Sequence, residues 1–167
     1  MISMKSPITF VLADGRQSDG RSSGSTPPTP PKHEGDYRHR ILLASRKSAE
    51  RVQWLSFLSD KVFLVSCADN GMDALRAIEA GGFDLVIAAV LMPEVDGIEL
   101  ARAASTIEGV PPIIVVSRGH TALDHAYLRS AALAGATATY TQPLMANDFL
   151  AGVQSALTLK RSAWVKP

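Results

Sequence analysis

From Tyr37 onward the chain alternates short apolar runs with longer segments of helical period. The runs "RILLA" (40–44), "KVFLVSC" (61–67), "DLVIAAV" (84–90), "PIIVVS" (112–117) and "ATATYT" (136–141) predict five strands. Most lack polar alternation, the pattern of strands covered on both faces of a parallel sheet. Between them the period predicts helices over Ser48–Ser59 with Val52, Leu55 and Leu58 inward, Gly71–Ala80 with Leu75 and Ile78 inward, Gly97–Ile107, Thr121–Ala134, and Ala146–Lys160 with Leu150, Val153 and Leu157 inward. Gly81–Gly82 and Gly135 stand where the second and fourth helices must end, because glycine adopts a left-handed turn without a Cβ clash. Five consecutive βα units imply a right-handed, doubly wound α/β sandwich.

The N-terminal texture is different. From Asp14 through Asp36 there is no aliphatic or aromatic residue. Such a stretch buries too little apolar surface to offset its ordering entropy, so residues 1–37 read as a disordered extension before a domain over 38–162 and a tail over 163–167. Within the extension "STPPTPPK" reads as a semi-rigid polyproline linker. The apolar "ITFVLA" (8–13) is left open between a strand and a partner-binding segment. After the fifth helix only "SAWVKP" follows, so a stand-alone module is expected.

Composition narrows the classes further. A chain of 167 residues that is 46% hydrophobic suits one well-buried domain. A formal charge of +1 gives no global field toward nucleic acid, and no apolar run approaches the ~20 residues of a membrane span. Neither nucleic acid nor membrane is an expected partner, and a cytoplasmic location follows. The single Cys67 excludes an internal disulfide and reads as a buried, inert thiol.

Doubly wound sheets place their crevice at the carboxyl ends of the strands. Those ends are Ser45–Arg46, Ala89–Val90, Ser117–Arg118 and Gln142–Pro143. The third strand ends on methyl groups where a reactive residue is expected. Asp84 is no substitute, since five extended residues at ~3.3 Å each put it ~17 Å away, where it reads as a cap on the strand entry.

These strand ends carry a pattern. "DLVIAAVLMPEVDGIEL", followed by "PIIVVS", "ALAGATATY" and "QPL", resembles the receiver domain of bacterial two-component response regulators over about Arg40–Arg161. The resemblance implies a flavodoxin-like order 2-1-3-4-5 and a cis Gln142–Pro143 bond. It also implies a chemistry: in the family an Asp nucleophile takes the phosphoryl group, acidic residues hold Mg²⁺, and a hydroxyl and a Lys grip the phosphoryl oxygens. Residue by residue, the acidic pair falls on Ser45 and Arg46, the nucleophile on Ala89, the hydroxyl on Ser117 and the Lys on Gln142. Only Ser117 keeps its type, the site has turned from negative to positive, and neither a metal nor another cofactor is expected beside an Arg46 that fills the pocket. The aromatic switch position falls on Thr139, with Tyr140 next to it and facing the other way. The resemblance therefore implies a pseudo-receiver, not an enzyme. It would act through its fourth helix, fifth strand and fifth helix on a histidine kinase, another regulator or a motility or cell-cycle component.

Two other readings compete. Arg38, Arg40, Arg46, Lys47 and Arg51, opposed by Glu50 alone, could serve an anionic nucleotide such as cyclic di-GMP at the start of the first helix, although no Gly-rich phosphate loop accompanies them. An enzymatic reading has little support, since Ser117 lacks a base and His120 and His125 lack a matching ligand set. Met145 and Trp54 read as core filling.

Overall fold

The computed structural model describes residues 9–12, 17–18, 39–58, 63–119 and 121–163. The strands are β1 (Thr9–Leu12), β2 (Gln17–Ser18), β3 (His39–Ala44), β4 (Phe63–Ala68), β5 (Leu85–Ala89), β6 (Ile113–Ser117) and β7 (Ala138–Thr141). The helices are α1 (Ser48–Leu58), α2 (Gly71–Ala80), α3 (Gly97–Ala104), α4 (Asp124–Leu133) and α5 (Ala146–Ala163). The sheet runs β2-β1-β4-β3-β5-β6-β7. Its five parallel strands, β4 to β7 with β3 second, have the doubly wound order 2-1-3-4-5.

Of two further strands, β1 takes the strand alternative left open for the 8–13 segment, and β2 was not expected. β1 pairs antiparallel with β4, from Thr9 opposite Cys67 to Leu12 opposite Leu64, and β2 pairs antiparallel with β1. The sheet thus has seven strands rather than five, and the extension supplies two of them. The physical reason is the edge: β4 would otherwise present a row of unpaired N–H and C=O groups, and the apolar "ITFVLA" segment supplies partners. The rest of the predicted disordered segment lies outside the described residues.

The strands alternate sides with period two. Ile41, Leu43, Ile87 and Ala89 face a cluster with Trp54 and Leu58 of α1 and Phe149 and Val153 of α5. Leu42, Ala44, Val86 and Ala88 face a second cluster with Ile78 of α2, Leu100 of α3 and Ala131 of α4. Trp54 and Phe149 are fully buried, and each contributes about 2–3 kcal/mol by leaving water. Gly81 and Gly135 carry positive φ at the ends of α2 and α4, as expected.

The predicted apolar stripe of α1 is shifted. Val52 is 64% exposed, and the buried face runs through Glu50, Trp54 and Leu58 at i, i+4 and i+8. Met145 is likewise 69% exposed, because it precedes α5 and does not join the Phe149–Val153 stripe. At the amino end of the sheet Asp84 accepts from the Arg40 N–H at 2.8 Å and donates its own N–H to the Arg40 carbonyl at 2.7 Å. It ties the entry of β5 to β3, as its position predicted.

Candidate functional site at the carboxyl ends of the strands

Parallel pairing brings the predicted strand-end residues abreast. Ala44 pairs with Ala88, Ala89 with Val116, and Ser117 with Thr141, so Ser45, Ala89, Ser117 and Gln142 share one edge. Gln142–Pro143 is cis. The ladder continues past the strands: Val90 donates to the Val116 carbonyl at 2.9 Å and Gln142 to the Ser117 carbonyl at 2.9 Å.

Ala89 is 5% exposed, and its methyl belongs to the apolar cluster shared with α1 and α5. The loop behind it closes tightly. Gly97 lies so near the Ala89 carbonyl that an added Cβ would overlap it, and Asp96 caps α3 by accepting from the N–H groups of Ile98 and Glu99 at 2.8 Å each. Glu99 returns a bond to the Asp96 N–H at 3.3 Å, completing a capping box. Asp96 is thus occupied as the cap of α3.

The charges around Ala89 are arranged differently from expectation. Ser45 is buried, and its hydroxyl donates to one oxygen of Glu50 at 2.5 Å while accepting from the Lys47 N–H at 3.1 Å. The second Glu50 oxygen accepts from Arg118 Nε at 3.1 Å. Because β5 lies between β3 and β6, this pair links α1, which follows β3, to the residue after β6 on the other side of β5. Arg51 pairs with Asp69 at 2.6 Å and donates to the Ser45 carbonyl. Arg46 is exposed, with no ion pair among the described residues, so it does not fill the pocket. Arg51 and Arg118 are each matched by a carboxylate, whereas Arg46 and Lys47 beside Ser45 are exposed.

Ser117 is 2% exposed, with its hydroxyl 3.4 Å from Thr141 Oγ1. Beside it, Asp124 accepts from the N–H groups of Thr121 at 2.7 Å and Gly119 at 3.3 Å, and from the Thr121 hydroxyl at 2.9 Å. The Thr121 N–H is the main cause that holds the Asp124 carboxyl below its ordinary range, against the opposing effect of desolvation and with help from the hydroxyl of Thr121, the N–H of Gly119 and the hydroxyl of Ser117. Gly119 has φ +72, and a Cβ there would overlap the Gln142 carbonyl. Only glycine fits that turn without strain.

The five-cation set does not assemble. Arg40 lies near the start of β3 and Arg46 and Lys47 beyond its end, roughly 20 Å apart at ~3.3 Å per residue. Arg40 lies 5.3 Å over the Phe83 ring, and burial lowers its guanidinium from the usual value, with Asp84 acting the other way. Arg38 and His120 lie outside the described residues. On β7, Thr139 is half-buried and Tyr140 packs edge-on against Phe149 at 5.5 Å, its hydroxyl 3.4 Å from the Asp148 carbonyl. The alternation expected for Thr139 and Tyr140 therefore places the aromatic ring on the α5 side. A groove of about 440 Å³ runs beside it along α5, lined by Ala138, Tyr140, Gly152, Ser155 and Leu159 among others. Cys67 is buried, and that burial pushes its thiol up, partly countered by Arg51, with Asp69 adding to the rise.

Magnesium is the ion the resemblance implies, and the donor set does not fit it. Ser45 and Ala89 offer no carboxylate, Glu50 and Asp69 are each taken by an arginine, and Asp96 is taken by a helix start. Among the described residues no three His, Cys, Asp or Glu side chains converge as a metal site. No described helix is long and apolar enough to cross a membrane.

Sequence reading named Arg118 as a strand-end residue without a role and passed over Glu50 except as a lone acid. The available signal was the helical period: Glu50 stands one turn before Trp54 and two before Leu58. The pairing itself, across 68 residues, had no local signal.

A parallel sheet of order 2-1-3-4-5, with its crevice at the carboxyl edge and a cis X-Pro turn after β7, is the architecture of the receiver fold. A family model of the response regulator receiver domain matches residues 41–154, and the chain belongs to that family. It is 38% identical over 69 residues to the response regulator receiver protein CpdR of Brucella abortus, covering 41% of this chain and 58% of that protein. It is 31% identical over 119 residues to the response regulator MprA of Mycobacterium ulcerans, covering 71% of this chain and 50% of that protein. The chain thus spans little more than half the length of these curated relatives. The fold is similar to the CheY-like receiver domain protein of Methanospirillum hungatei, with a TM-score of 0.65 at 24% identity over 75% of this chain and 98% of that one.

Proposed function

We propose that this receiver domain signals without phosphorylation, as a cytoplasmic, non-enzymatic pseudo-receiver that works by protein–protein contact. The observation that carries the reading is Ala89: the position that the resemblance assigns to the nucleophile holds a methyl group packed in the core. An aspartyl phosphate needs a carboxylate oxygen to attack phosphorus, and a methyl offers none. The crevice supports the same reading, since Arg51 and Arg118 are already paired to Asp69 and Glu50. The partner is a histidine kinase, another regulator or a motility or cell-cycle component. The proposed face is α4, β7 and α5, where Leu133 is 90% exposed and Leu159 59%. No observation favours the cyclic di-GMP reading, because Arg40 is separated from Arg46, Lys47 and Arg51 by the length of β3.

Incubation with acetyl phosphate and Mg²⁺ tests the reading. Intact mass and backbone amide shifts are expected to stay unchanged. A covalent phosphoryl adduct, or a saturable Mg²⁺-dependent shift at residues 45, 89 or 117, would overturn it.

A further inference from the structure

We propose that Glu50 and Arg118 form a latch that fixes the β6–α4 loop to α1, so that the domain holds its α4–β7 side in one arrangement with no phosphoryl group present. The inference rests on the phosphorylation-independent reading only in that Ala89 offers no carboxylate to carry a phosphoryl group.

Four features of the crevice carry it. Both oxygens of the Glu50 carboxylate are used, one by the Ser45 hydroxyl after β3 and the other by Arg118 after β6. The bond therefore joins α1, which follows β3, to the residue after β6, with β5 between the two strands. The Glu50 side chain is 9% exposed and that of Arg118 34%, so the pair is screened far less than one on an open surface. Breaking it strands a charge beside the apolar cluster that includes Ala89 and Trp54.

The loop is held at its other end as well. Asp124 gathers the N–H groups of Gly119 and Thr121, and Gly119 is pressed against the Gln142 carbonyl. Arg118 is thus tied to α1, and Gly119 and Thr121 to the start of α4. A loop with two such anchors is a two-state element only when one anchor can let go. The cap at Asp124 is local to the helix start, whereas Arg118 reaches across the crevice and is one-third exposed to a competitor.

The test uses the full chain with Glu50→Gln, Arg118→Ala and Arg118→Lys, compared with the unaltered protein by amide hydrogen exchange and relaxation dispersion. In the unaltered protein the amides of residues 117–124 are expected to be protected and free of millisecond exchange. Glu50→Gln and Arg118→Ala should each speed exchange there at least tenfold and produce dispersion that extends into α4 and β7, while residues 85–89 keep their protection. Arg118→Lys should recover part of the protection, because an ammonium group can still reach the carboxylate but lacks the planar fork. Unchanged protection at 117–124 in both disruptive variants overturns the latch, and so does an equal loss throughout the domain, which would make the pair general structural support. Either result is separate from the acetyl phosphate measurement, which reads a covalent adduct by mass and does not depend on loop motion.

Discussion

The two ends of the parallel sheet use the same residue types for different work. At the amino end Asp84 and Arg40 bond through reciprocal contacts with the Arg40 backbone, and the Arg40 guanidinium rests on Phe83. At the carboxyl end Glu50 and Arg118 bond through side chains alone and span two loops. A carboxylate that accepts a neighbouring strand's N–H extends the ladder and has nowhere to move. A carboxylate that holds a guanidinium across a gap can release it. A carboxylate is a fixture where it accepts from a backbone N–H and a removable contact where it accepts from a guanidinium side chain.

That contrast can be broken in order of expected effect. Ala89→Asp forces a charge into a site 5% exposed and should cost about 2–4 kcal/mol in urea denaturation. A loss below about 1 kcal/mol would mean that Arg118 has left Glu50 for the new carboxylate. Glu50→Ala removes the acceptor of both Ser45 and Arg118 and should cost about 1–3 kcal/mol, tempered by the partial exposure of Arg118. Asp84→Ala removes one acceptor at the amino end and should cost about 1 kcal/mol. Unlike Glu50→Ala, it should leave hydrogen exchange at residues 117–124 as it was. If both substitutions loosen that loop equally, the two ends are not distinct.

Acid provides a fourth test. The Asp124 carboxyl lies below its ordinary value of 3.8 in the folded protein, so on acidification the unfolded chain takes up the proton first. Its contribution is complete above the unfolded value and lost as pH falls through the lower folded value, so melts from about pH 5 downward should show a decline that Asp124→Asn lacks. The smallest effect is expected at Val52, 64% exposed, where Val52→Ser should change stability by no more than about 0.5 kcal/mol, read by the same denaturation.

Most of the architecture was legible in the sequence because strand burial leaves a local mark. After Asp84 the run "LVIAAV" (85–90) has no polar position, as a strand enclosed by helices on both faces favours. The Asp96 cap and the Asp84 tie were legible for a similar reason, since each acts within a few residues of an element boundary. Val52 misled because a helix stripe read from hydrophobicity alone passes over a buried acid. Once Glu50 is placed on the stripe with Trp54 and Leu58, Val52 turns outward. The basic cluster misled because Arg40 and Arg46 are close in sequence, yet an extended strand separates residues faster than any other element.

By itself, the sequence determined the five βα units, their parallel order by resemblance, and the methyl at position 89. Those features depend on periodicity and residue type, which are local properties of the chain. Tertiary structure alone decided that β1 covers the edge of β4, that Arg46 points to solvent, and that Arg118 reaches Glu50 from the other side of β5. Each of these joins segments distant along the chain. Which donor meets which acceptor there is settled by the packing of the sheet and its loops, not by neighbouring residues.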